Sequence, residues 1–142
     1  MRTITLLRHA KSSWEAAPAG EPPRPDKGRP LAPRGRRDAP RMAAWLAAHG
    51  VAADLILCSS ARRTRETLDL VRAALLATDG RVDTRDDLYL ADAAEIVALA
   101  RRLPDAVRHV LFIGHDPGLH EAAQLLSGRG DVALRRLLAE KF

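Results

Sequence analysis

The chain has 142 residues, 46% of them hydrophobic and 29% charged, which is the composition of a globular protein with room for one domain over residues 1–142. Its apolar runs fall well short of the ~18 residues of a membrane-spanning helix, the start lacks a signal-peptide pattern, and a lone cysteine, Cys58, rules out an intrachain disulfide and fits a reducing cytoplasm. A net charge of +5, carried mostly by arginine, favours anionic partners and leaves nucleic acid, membrane surface and phosphorylated substrate open.

Thr3 to Leu7 is an apolar, β-branched run that reads as a buried strand, and it ends abruptly in Arg8-His9. The stretch from Trp14 to Arg37 is studded with Pro18, Pro22, Pro23, Pro25, Pro30 and Pro33, so a long loop is expected there. Within it, Asp26 and Arg29 stand three apart beside Leu31. The spacing of Ala39, Met42, Ala43 and Leu46 predicts a helix from about Arg36 to His49, stopped by Gly50. Asp54 to Cys58 reads as a second buried strand. A helix is expected from about Ala61 to Thr78, with Ser59 or Ser60 as its cap. Asp79-Gly80 marks a turn into a charged strand over Val82 to Leu90, placed near a sheet edge. Asp92 and Glu95 form a capping box for a helix running to about Leu103, before Pro104. Arg108 to Ile113 reads as a third buried strand, followed by helices over about Leu119–Leu126 and Val132–Lys141. Strands alternating with helices imply an α/β fold with a doubly wound, parallel sheet.

Three strand ends then carry unusual chemistry. The first ends in Arg8-His9, the second leads through Ser59 into Arg62-Arg63, and the third runs into Gly114-His115-Asp116. In a parallel sheet these ends converge on one edge, where ligands bind. Two histidines and at least two arginines in one crevice call for a compensating anion, and a phosphoryl group supplies it. A metal is the weaker reading, because the histidines show neither HxH nor HExxH spacing and arginines oppose a cation. His49, His109 and His120 read as surface or capping residues.

Leu7-Arg8-His9-Ala10-Lys11 resembles the Arg-His-Gly/Ala signature of the histidine phosphatase superfamily, the phosphoglycerate-mutase-like enzymes. Within it the chain is most similar to the SixA-type phosphohistidine phosphatases. Asp26-x-x-Arg29-Pro30-Leu31, Ser59 through Thr67, and Gly114-His115-Asp116-Pro117-Gly118-Leu119 match that group's motifs in family order. The resemblance implies a three-layer α/β/α sandwich around a mostly parallel sheet. It also implies a metal-independent, cofactor-free phosphatase in which His9 is the nucleophile. Arg8 and Arg63 would hold the phosphoryl oxygens, His115 would donate a further hydrogen bond, and Arg29, Asp26 and Lys11 would contact substrate from the loop side. Counting from Ser59 selects Arg63 over its neighbour Arg62.

The departures from the family pattern are Ser60 for Pro, Thr64 for Ala, Glu66 for Gln and Asp116 for Asn. None removes a phosphate ligand. The Glu- and Gly-containing segment that carries the general acid in sugar-phosphate members is missing from Leu88 to Glu95, which leaves Asp26 as the acid candidate. A weak acid suits a phosphoramidate leaving nitrogen, which protonates readily. The partners expected are therefore a phosphorylated protein, such as a histidine-containing phosphorelay domain, or a small phosphorylated metabolite. No membrane is expected, and the scarcity of aromatics, at 4%, counts against nucleic acid. The alternatives are a small-molecule phosphomonoesterase of the same superfamily and a non-catalytic binder of phosphate or nucleic acid. Finally, Glu140-Lys141-Phe142 stands where SixA-like chains continue into a last strand, so a missing C-terminal edge strand is a further expectation.

Overall fold

The computed structural model describes residues 2–128, and the expectations for the helix over Val132–Lys141 and for a missing edge strand fall outside them. Four strands, β1 (Thr3–Arg8), β2 (Ala53–Ser59), β3 (Leu76–Arg85) and β4 (His109–Gly114), form one sheet in the order β1-β4-β2-β3. Every pairing in it is parallel. Three helices connect them, α1 (Pro33–Ala48), α2 (Arg62–Leu75) and α3 (Ala93–Arg101), and α4 (Gly118–Ser127) follows β4.

The two central strands, β4 and β2, explain the layering. Both are continuous apolar runs, and the period of two sends alternate side chains to opposite faces. Ile56, Cys58, Leu111 and Ile113 pack with Ala39, Ala43, Leu68, Val71 and Leu75 beneath α1 and α2. Leu55, Leu57, Val110 and Phe112 pack with Ile96, Val97, Leu99, Ala100, Leu119 and Ala122 beneath α3 and α4. The result is the expected three-layer α/β/α sandwich. No described helix is long and apolar enough to cross a membrane.

Several boundaries differ from expectation. Helix α1 begins at Pro33, inside the predicted loop, because a proline at the first helical position has no N–H to lose. Strand β1 is half-buried rather than buried, since it stands at one edge of the described sheet. Strand β3 starts at Leu76 and absorbs Asp79-Gly80 into a register irregularity between its pairings with Ala53 and Leu55. A Cβ at Gly80 would stand 2.8 Å from the Ala53 carbonyl oxygen, so the glycine serves a close strand approach and not a turn. The strand then ends at Arg85, and a 3-10 turn over Asp86–Leu88 follows. Neither serine caps α2: the capping position is Ala61, and Ser59 sits inside β2. The Asp92–Glu95 capping box is present, with hydrogen bonds of 2.8 and 2.9 Å.

Candidate active site

The C-terminal ends of β1, β2 and β4 meet at a cleft of about 600 Å³. Its wall includes Arg8, His9, Lys11, Arg29, Arg34, Arg63 and His115, with Asp26, Asp38 and Asp116 as the acids. All seven residues singled out from the sequence line it. Cations outnumber carboxylates five to three, so the cleft favours an anion.

His9 lies just past β1, and its backbone N–H continues the sheet by bonding the Gly114 carbonyl at 3.1 Å. The next N–H, of Ala10, donates to Thr67 Oγ1 at 3.0 Å, and that hydroxyl donates to the Arg63 carbonyl at 2.8 Å. Thr67 therefore ties the mouth of β1 to α2. The His9 ring is oriented by its Nδ1, 2.7 Å from the Ala10 carbonyl oxygen. A carbonyl only accepts, so the proton sits on Nδ1 and the lone pair on Nε2. Arg63 Nε donates to that Nε2 at 3.3 Å. Burial lowers the His9 pKa below the usual imidazole value, against the Ala10 bond, and Arg63, Arg8 and Arg29 reinforce the shift. The imidazole is neutral at neutral pH, with a nucleophilic nitrogen turned toward a guanidinium.

Arg63, in the first turn of α2, is buried at 3% exposure, and Asp26 holds its far edge. Nη1 donates to the Asp26 carbonyl at 2.8 Å and Nη2 to the Asp26 carboxylate at 3.1 Å. Arg62 points outward instead and pairs with Glu66 at 2.8 Å. Glu66 also accepts from the Leu31 N–H at 2.7 Å and from Arg36 at 3.0 Å, which fastens the Arg29–Leu31 segment to α2.

Asp26 is the hub of the loop side. Besides Arg63, its carboxylate accepts from Tyr89 at 2.6 Å and from Arg29 at 3.0 Å. These bonds, the Tyr89 hydroxyl's foremost, hold its pKa down at about 2. Such a group is a carboxylate at neutral pH, and in the free cleft it anchors cations. Arg29 is itself committed to Asp26 and Ser12, and its guanidinium stacks 3.5 Å from the Trp14 ring. Lys11 is exposed at the rim, and its carbonyl accepts from Ala32 at 2.8 Å.

His115 faces His9 with ring centroids 5.5 Å apart. Its Nε2 bonds Ser59 Oγ at 2.8 Å, and Nδ1 is buried with no hydrogen-bond partner among the described residues. Burial, then the charge of Arg63, pulls its pKa down to about 4, so this ring is neutral too. Arg8 is half in solvent and pairs with Asp116 at 3.2 Å. Among the described residues no three His, Cys, Asp or Glu side chains gather as a metal-binding group. His109, expected as a surface or capping residue, is half-buried and bonds Thr5 at 2.7 Å, while His49 bonds the Trp45 carbonyl at the end of α1.

Two partners escaped the sequence reading. Tyr89, the chain's only tyrosine, bonds Asp26 and meets the His115 ring edge-on at 5.5 Å. Ser59 was read as a helix cap, whereas its hydroxyl bonds His115. The expected strand over Val82 to Leu90 contains Tyr89, so the sequence carries no signal for it; with β3 ending at Arg85, Tyr89 falls at the same sheet end as the motifs.

Comparison with known proteins agrees with this geometry. The family model of the histidine phosphatase superfamily (branch 1) matches residues 4–137. An uncharacterized protein of Mycobacterium tuberculosis is 35% identical over 138 residues, covering 96% of this chain and 80% of its own. A chloroplastic protein of Arabidopsis thaliana is 33% identical, covering 89% of this chain and 60% of its own. Among solved structures, a candidate phosphohistidine phosphatase SixA from Agrobacterium tumefaciens superposes with a TM-score of 0.83 at 29% identity, covering 100% of this chain and 86% of that one. The protein histidine phosphatase SixA complexed with tungstate gives 0.74 at 26% identity, covering 89% and 78%. With a cation-rich cleft at the strand ends and a family match across most of its length, the chain belongs to the histidine phosphatase superfamily as a phosphatase of the SixA type.

Proposed function

We propose that the protein is a phosphohistidine phosphatase acting on protein, with His9 as its nucleophile. In this reading His9 Nε2 attacks phosphorus while the bond to the leaving nitrogen breaks, and that nitrogen takes a proton from solvent as it departs. Water then attacks the phosphoryl group on His9, releasing inorganic phosphate and the free imidazole. Arg63 and Arg8 hold the phosphoryl oxygens and offset their charge in the transition state, with His115 at the same oxygens. Arg29 and Lys11 form the outer rim of the anion site, and Asp26 fixes the two guanidiniums that face it.

The observation that carries the choice of substrate is the state of Asp26. The Asp26 carboxyl, bound to Arg63, is held at about 2, and the other acids of the cleft, Asp38 and Asp116, are each paired with arginine. An alkoxide leaving group needs a strong proton donor, whereas a phosphoramidate nitrogen protonates readily and does not. The cleft therefore suits a phosphorylated nitrogen. The SixA likeness favours a protein as its bearer.

The test is a panel: a phosphorylated histidine-containing phosphotransfer domain, N-phosphoimidazole and sugar phosphates, each followed by phosphate release. The phosphoprotein and N-phosphoimidazole should be turned over at least 100-fold faster than the sugar phosphates, and His9→Ala should abolish turnover of both. Equal rates on sugar phosphates would place the protein among small-molecule phosphomonoesterases, and an active His9→Ala variant would remove the covalent mechanism.

A further inference from the structure

We infer that the outer face of α1 is a docking surface for an acidic protein carrying the phosphorylated residue. The inference rests on the proposed action on protein and adds where that protein sits.

Helix α1 carries two different stripes at the 3.6-residue period. Gly35, Ala39 and Ala43 are its buried residues. Beside them runs a stripe of Arg34, Arg37, Asp38, Arg41, Met42 and Trp45 at i, i+3, i+4, i+7, i+8 and i+11, spanning ~16 Å at 1.5 Å per residue. One carboxylate serves three arginines: Asp38 stands 3.3 Å from Arg34, 3.6 Å from Arg37 and 4.0 Å from Arg41. Two positive charges are left over, and the three guanidinium side chains are 73%, 59% and 75% exposed. The stripe also begins at the reaction: Arg34 and Asp38 line the catalytic cleft, so a partner on it is within reach of His9.

Charge alone would fit any polyanion, but this stripe also carries large apolar side chains. Met42 is 49% exposed and Trp45 56%. Arginine, methionine and tryptophan are the residue types enriched where proteins meet, and tryptophan and arginine supply most binding hot spots. Nucleic acid calls for aromatics spaced as stacking platforms along a basic groove. Here the tryptophan ring already stacks on His49, with centroids 3.9 Å apart, which holds it as a rigid apolar plate. A protein surface with carboxylates around an apolar centre is the complement, and the surplus charge would speed its encounter at low salt.

The experiment compares KM for a phosphorylated histidine-containing phosphotransfer domain with KM for N-phosphoimidazole. In the double variant Arg37→Glu/Arg41→Glu the ratio of protein to small-molecule KM should rise about tenfold. The rise of the protein KM with added salt, present in the wild type, should flatten. Trp45→Ala should raise the same ratio without altering the salt dependence. An unchanged ratio in both variants overturns the docking face, as does a parallel rise of both KM values, which would report a disturbed cleft. A wild type that turns over N-phosphoimidazole but no phosphoprotein refutes the proposed substrate, and the docking face with it. Binding of a fluorescent RNA 20-mer that is lost in the double variant, while the protein KM stays put, would reassign the surface to nucleic acid.

Discussion

In the proposed mechanism, two neighbours and burial each settle one property of His9. The Ala10 carbonyl fixes the tautomer, Arg63 faces the lone pair, and burial keeps the ring neutral. Asp26 bonds Arg63 and Arg29, and in the proposed mechanism it acts through them, a role that experiment can separate from that of a proton donor. Asp26→Asn keeps the shape but removes the charge that offsets two guanidiniums, and it should lower kcat about tenfold. The loss should be equal on phosphoryl substrates with good and with poor leaving groups, because no proton is withdrawn from the reaction. A loss concentrated on poor leaving groups would show Asp26 to be the general acid. This distinction was out of reach of the sequence. Asp26 and Arg29 are close in the chain, whereas Tyr89 stands 63 residues from Asp26, and only the fold joins them.

At the scale of elements, legibility followed locality. Strands β2 and β4 are continuous apolar runs, and α3 announces itself through Asp92 and Glu95, so all three stand close to where the pattern puts them. Strand β3 does not, because Asp79-Gly80 carries turn chemistry that pairing with β2 overrides. The convergence of Arg8-His9, Arg63 and His115 was readable because a parallel sheet brings its strand ends together whatever the loops do. The start of α1 shows a tighter coupling of element to site. A Cβ on Gly35 would collide with the Lys11 backbone, and Lys11 belongs to the segment that carries the cleft rim. The helix cannot sit there with a larger residue. Gly35→Ala should cost about 2 kcal/mol or more, as overpacking against backbone does, and lower Tm by several degrees. Activity should fall further than stability requires, since the displaced strand end positions His9. Thermal melts and kcat at a temperature well below Tm check both.

The whole molecule couples its stability to pH through the same two histidines, buried His115 and half-buried His9. His115 is 4% exposed and its pKa is lowered to about 4, against an ordinary 6.5. Above pH 6.5 both the folded and the unfolded ring are neutral, and the group contributes nothing to pH dependence. Between 6.5 and 4 the unfolded chain binds a proton that the folded one refuses, so stability falls as pH falls. Below about 4 both forms are protonated and this loss is complete, at up to about 3 kcal/mol for a shift of this size. His9, lowered in the same direction, adds to the loss. Asp26 acts in a separate window: its folded value of about 2 means that its contribution disappears only as pH drops below the ordinary carboxylate range, and its exposure keeps that contribution small. Acid unfolding should therefore begin with imidazoles rather than carboxylates. Urea denaturation at pH 7.5, 5.5 and 4 should show the stability falling by about 2–3 kcal/mol across the series. His115→Gln, which keeps a polar group beside Ser59 but cannot titrate, should lose distinctly less over the same range, even if it starts from lower stability at pH 7.5. Parallel pH dependence in the two proteins would mean that the acid response lies elsewhere in the charge distribution.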